Sequence, residues 1–129
     1  MKTLFGTEVR LWHPSALASD LENSFGQRSV VCHQEGALRQ HGEGHYSRTY
    51  CVFEVLAPST IGFGEAIIPA IAKLNDFSKR QANFAAEGGI AYVVIGIYDG
   101  DFSSFDVSVA IVTQLAASNA ALLIENRTA

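Results

Sequence analysis

Residues 90–98, IAYVVIGIY, form an apolar run without a single charge, bounded by Gly88-Gly89 before it and Asp99-Gly100 after it. β-Branched and aromatic side chains fit a pleated surface better than a helix, where they lose rotamer freedom. Nine residues are also far too few for a helix to cross a bilayer. The run therefore reads as a strand. Having no polar face, it must be covered on both sides and lie inside a sheet rather than at its margin. A chain of 129 residues has room for one such sheet, the helices that cover it and one core, so residues 1–129 are expected to form a single domain.

The remaining elements follow from periodicity. TLFGTEVRLW, residues 3–12, is a strand with Phe5, Val9 and Leu11 on one face and an irregularity near Gly6. A helix follows, with Pro14 suited to its first position, Leu17, Leu21 and Phe25 along one face, and Gly26 suited to the left-handed residue that ends it. RSVVCHQ is a second strand. RTYCVFEVLAP is a third: Thr49, Cys51, Phe53 and Val55 share one face, Tyr50, Val52, Glu54 and Leu56 the other, and Pro58 is expected to end it. GEAIIPAIAKLNDF is a helix with Ile67, Ile68, Ile71 and Leu74 as its buried stripe. Pro69 must lie in its first turn or kink it, and Ser78 can cap a short continuation closed by Gly88-Gly89. After the IAYVVIGIY strand come a polar loop, DGDFSSFD, a third helix with Val109, Val112, Leu115 and Ala116 inward, and a short final strand, ALLIE. The order predicts an α+β fold: a ferredoxin-like βαββαβ core extended by a C-terminal helix and strand, with helices on one face of a mixed or antiparallel sheet.

The stretches LWHPSALASDLENSFG, HQEGALR with its Gly36, RTYCVFEV, the helical middle and ALLIE together span nearly the whole chain. In element order, length and these motifs the chain resembles the bacterial family catalogued as domain of unknown function 4279. The family's glycine after the second strand matches Gly36, and its aromatic after a basic residue at the start of the third strand matches Arg48 to Tyr50. An aromatic that the family tends to place within that strand is replaced here by Cys51. The resemblance implies the fold and a bacterial source; the family has no established activity, so it implies no catalytic residue.

Formal net charge is −4, and the nine lysines and arginines are scattered rather than striped. Phosphate affinity comes from clustered positive charge, so nucleic acid is not an expected partner. The N-terminus lacks the apolar stretch of a secretory signal, no run reaches membrane-spanning length, and two cysteines make no disulfide framework. A cytoplasmic location without membrane contact is expected.

CHQEGALRQHGEGH, residues 32–45, holds three of the four histidines. The flanking strands are expected to pair about a centre between His41 and Gly42, which sets Cys32 opposite Cys51. Cys51 falls in the inward register. His33, His41 and His45 are the metal candidates, but the usual cysteine-pair spacings are absent, and glycines at 42 and 44 oppose the helix that the His41–His45 spacing would need. No metal or other cofactor is expected. Arg39, His41, His45 and Arg48 could instead make a loop that binds protein or anions. Gly62 and Gly64 precede a helix and could present backbone N–H groups to a ligand, although Glu65 follows where a phosphate loop needs lysine. Asp99, Asp101 and Asp106 lack the spacing of a calcium loop. Trp12 reads as a sheet-end packing residue rather than a stacking platform.

No catalytic constellation emerges, so an enzyme is not the first expectation. That expectation is a small soluble protein acting through a surface, on a protein partner or a second copy, with an immunity or accessory protein for a basic partner as one form. The alternative is a regulatory domain that binds a small metabolite, and a metal-dependent enzyme using the His-rich hairpin comes third.

Overall fold

A computed structural model describes residues 3–98 and 106–127. The chain runs β1 (Leu4–His13), α1 (Ala18–Phe25), β2 (Val31–His33), β3 (Thr49–Ser59), α2 (Phe63–Arg80), β4 (Ile90–Tyr98), α3 (Val109–Ala117) and β5 (Ala120–Asn126). It is an α+β fold built on one five-stranded mixed sheet, ordered β2-β3-β1-β4-β5. Strand β1 is antiparallel to both β3 and β4, β2 is antiparallel to β3, and β5 joins the edge parallel to β4. A parallel neighbour requires a crossover, which α3 supplies.

The two faces of the sheet differ. Val9, Leu11, Cys51, Phe53, Val93 and Ile95 point to the same side and pack with Leu21 and Phe25 of α1, Ile67, Ile71, Leu74 and Phe77 of α2, and Leu115 of α3. All three helices therefore contribute to one core on one face. The other face, carrying Glu8, Arg10, Trp12, His33, Tyr50 and Tyr92, has no helical layer among the described residues. Strand β4 lies inside the sheet between β1 and β5, with Val93 and Ile95 in the core; Val94 is buried too, but among its described surroundings the expected layer on the second side is absent.

Several expectations need correction. Helix α1 begins at Ala18 and not at Pro14, because His13 Nδ1 accepts hydrogen bonds from the Ser15 and Ala16 N–H groups and turns the chain there first. Leu17 is the exposed residue before the helix, and only Leu21 and Phe25 of that triplet are buried. Gly26 does close α1, at φ 86°. Strand β2 is three residues long, much shorter than RSVVCHQ suggests. Pro58 does not end β3. The register slips between Phe5 and Thr7 just opposite it, and the bulge leaves Pro58 within the strand with no ladder bond to lose. Gly6 is needed at this bulge: a Cβ there would sit 3.2 Å from both Leu56 O and Pro58 N.

Helix α2 continues through Ser78 to Arg80, so Ser78 starts nothing, and Pro69 lies inside the helix beyond its first turn. Thr7 Oγ1 donates to Ala66 O at 2.6 Å on this stretch, tying the helix to β1 near the carbonyls that the proline disturbs. Ile68 is exposed, while Phe63, Ala66 and Ala70 join Ile67, Ile71 and Leu74 inward. In α3 only Leu115 is buried; Val109, Val112 and Ala116 are exposed, not inward. Ser108 caps α3 by accepting from the Ile111 N–H. The DGDFSSFD loop lies outside the described residues except for Asp106, which is exposed.

Candidate functional site

The second and third strands and the loop between them follow the expected symmetry. Val31 pairs with Val52, Cys32 with Cys51 and His33 with Tyr50, and beyond a break Leu38 pairs with His45. The Arg39 N–H donates to Gly44 O and the Tyr46 N–H to Ala37 O. The break comes where the Gly36 N–H reaches Tyr46 O, with Gly36 in the left-handed region at φ 82°. This folds the loop back so that it stands beside the helix-free face of the sheet.

Alternation along the strands supplies the floor. Trp12 of β1 is the direct partner of Tyr50 of β3, and Tyr50 is the partner of His33 of β2, so all three project to the open face. The Trp12 and Tyr50 rings stack at 3.9 Å between centroids. The His33 ring lies 6.0 Å from Tyr50, at 11° to it, and 4.2 Å from Tyr46 of the returning loop. Guanidinium groups stand at both ends of this run: Arg48 is 5.9 Å from the Trp12 centroid and Arg39 is 5.9 Å from that of Tyr46. Together with His45 and Ser47 these residues surround an open hollow of about 590 Å³. Burial pushes the Tyr50 phenol up from its ordinary value, so it offers a neutral hydroxyl to whatever enters.

The electrostatics separate the hollow from the rest of the open face. On β1 and beside β5, Arg10 grips Glu125 with Nη1 and Nη2 at 2.8 and 3.0 Å and reaches Glu8 at 3.2 Å. Arg127 binds the same two carboxylates and donates to the Tyr98 hydroxyl at 2.9 Å. Two cations there meet two anions. Among the described residues no carboxylate lines the hollow, and neither Arg39 nor Arg48 has an ion pair.

Of the residues singled out in the sequence, Arg39, His45, Arg48 and His33 come together here. His41 stays at the exposed hairpin tip, away from the hollow. Gly62 precedes α2 and Gly64 lies in its first turn, with no part in the hollow. Among the described residues no group of three His, Cys, Asp or Glu side chains converges as a metal would require. Trp12, next to the end of β1, packs its ring on Tyr50 on the open face, as a sheet-end packing residue would. Tyr46 and Tyr50, which also line the hollow, were not singled out in the sequence. The available signal was the even-numbered alternation of Glu8, Arg10 and Trp12 against Tyr50, Val52 and Glu54, which gives one face a mixed polar and aromatic character.

Cys51 is fully buried on the opposite, core face, while Cys32 at the sheet edge is exposed; both are free thiols. Burial, and then the neighbouring Cys32 thiol, push Cys51 up to about 12. A thiol that stays protonated is a poor nucleophile. His13, also buried, is a structural residue. Its Nδ1 accepts two backbone N–H bonds, which leaves the proton on Nε2 to meet Glu87 at 3.0 Å. A second hollow of about 230 Å³, between α2, the 81–89 turn and the end of α3, has an alanine-rich wall and no charged group. Comparison with known protein families, with curated proteins and with solved structures finds no match to this chain.

Proposed function

We propose that this chain is a non-catalytic binding domain whose hollow on the open sheet face takes a small-molecule ligand. One observation carries the reading: five ring systems and two guanidiniums, which have no ion pair among the described residues, line one hollow of about 590 Å³, within the size range of small-ligand sites. Among the described residues no hydrogen bond joins Ser47 to His33 or His45, as a nucleophile and its base would need. The reading keeps the regulatory-domain alternative of the sequence and sets it ahead of a protein partner. It includes a ferredoxin-like βαββαβ unit as the scaffold. The β2-β3-β1-β4 run of antiparallel neighbours supports that assignment, whereas β5, parallel to β4, lies outside it. Kinship with domain of unknown function 4279, suggested by the sequence motifs, belongs to the same proposal.

The test is a thermal melt against a broad panel of metabolites, with zinc, nickel and chelator as further arms. A ligand at a hundred times its dissociation constant adds about 2.7 kcal/mol, which raises the melting temperature of a domain this size by about 10 °C. One or more panel members are expected to do so, and the shift should shrink in Arg48→Gln. A rise with zinc that chelator reverses would overturn the reading in favour of a metal site.

Self-association is a second reading, favoured by α3. Val109 and Val112 are 82% and 52% exposed there, beside β5, which occupies the end of the sheet. Sedimentation of the purified chain is expected to show a dimer that Val112→Lys dissociates; a monomer at all concentrations would remove this reading.

A further inference from the structure

We propose that the ligand of the open-face hollow is a small planar aromatic anion, its ring held by Trp12, Tyr50, His33 and Tyr46 and its negative group by Arg39 and Arg48. This rests on the hollow being a small-ligand site and names what that site selects.

Charge is the first argument. The chain carries a net −4, yet the described wall of this hollow has two arginines, two histidines and no acid. The contrast with Arg10 and Arg127 excludes a general habit of leaving arginines unpaired on this sheet: those two are matched by Glu8 and Glu125. Arg39 and Arg48 each lie over a ring, which satisfies a face of the guanidinium and leaves its in-plane N–H fork for an acceptor. Such a fork matches carboxylate and phosphate oxygens.

The rings are the second argument. An inorganic anion would use the guanidiniums and leave the aromatic rings idle. An uncharged flat molecule would use the rings and leave two cations without a counter-charge. A molecule with both features uses the whole wall, and flat rings stack favourably on aromatic side chains. A polymer is disfavoured, because a strand of nucleic acid needs a track of basic residues, whereas the described open face beyond the hollow presents its cations already neutralised.

Trp12 is the only tryptophan in the chain, so intrinsic fluorescence excited at its red edge reports this site alone. The probes are adenosine 5′-monophosphate and 4-hydroxybenzoate as two aromatic anions, with adenosine and inorganic phosphate as the separated halves of the first. At least one aromatic anion is expected to quench Trp12 saturably, at a concentration about tenfold or more below that needed by either half. Arg48→Gln should weaken that anion by about tenfold, the scale of one lost charge-assisted bond, and leave adenosine unchanged. The side chain is exposed, so folding should survive the change, with circular dichroism as the check. The nucleotide arm against the benzoate arm distinguishes a phosphate source from a carboxylate source. Phosphate alone binding as tightly as the nucleotide would overturn the role of the rings, and adenosine binding as tightly would overturn the role of the arginines. If neither aromatic anion quenches while another metabolite of the broad panel does, the ligand class is wrong and the site stands. If no panel member quenches or stabilises, the site itself falls.

Discussion

Phe53→Ala is expected to destabilise the chain by about 3–5 kcal/mol, a large part of the roughly 5–15 kcal/mol that holds a typical domain folded. Phe53 is fully buried near the middle of β3. Its ring stacks on Phe25 of α1 at 4.1 Å, Phe25 leans on Phe77 of α2 at 6.2 Å, and Phe77 meets Phe84 edge-on at 5.1 Å. Truncation leaves a cavity and breaks the first of these ring contacts, each of which adds about 0.5–1.5 kcal/mol beyond the buried area. Helix α1 suffers most. At eight residues it is too short to persist without packing, so its amide protons should lose exchange protection before those of α2. Leu38→Ala is the control: at 73% exposure it should change stability by less than about 0.5 kcal/mol. Urea unfolding measures both. A loss below about 1 kcal/mol for Phe53→Ala would mean that the stacked rings do not centre the core.

The pattern of what sequence could foresee follows the range of the forces involved. Strands β1 and β3 were legible because a period of two, once set by burial of one face, is read without knowing the neighbour, and β4 because its apolar, β-branched run has no polar face. The hairpin axis was legible for the same reason, down to Cys32 facing Cys51. Helix boundaries were less so. The start of α1 is decided by the ring of His13, which takes the N–H groups of Ser15 and Ala16, and no propensity encodes that. The inward stripe of α3 failed because Val109, Ala110, Ile111 and Val112 are consecutive and apolar, so every face of the helix looks like a core face. Its position against the terminal strand leaves room to bury only Leu115. Of the candidate site, the residues on the hairpin (Arg39, His45 and Arg48) were legible as a charged loop. The rings were not, because the stack of Trp12 on Tyr50 exists only once β1 pairs with β3. Unpaired guanidiniums are likewise a property of the fold, since nothing in the chain's order says that Glu8 and Glu125 will be spent on Arg10 and Arg127.

Raising the pH above 9 is expected to remove stability from the native chain faster than from Cys51→Ala. The Cys51 thiol is pushed from its ordinary 9.0 up to about 12, first by burial and then by the Cys32 thiol against it. In the unfolded chain it ionises at the ordinary value. Folding therefore favours the protonated form: its contribution is complete below about pH 9 and is lost as pH climbs toward about 12, because the unfolded state gains by releasing a proton that the folded state retains. Within that window the slope is about 1.4 kcal/mol per pH unit for one thiol. Tyr50 and Tyr98 are also raised by burial and act in the same direction, but both persist in the variant and cancel in the difference. The cavity left by alanine lowers stability by an amount that does not vary with pH, so the two curves should converge from pH 9 to 11 by about 2–3 kcal/mol. Urea midpoints under reducing conditions at half-unit intervals measure this. Parallel curves would show that Cys51 ionises as easily in the folded state, and so that water reaches the core face of β3. Convergence would show a sealed thiol one residue from Tyr50 but on the other side of the sheet, and ligands that fill the open-face hollow should then leave the alkaline slope unchanged.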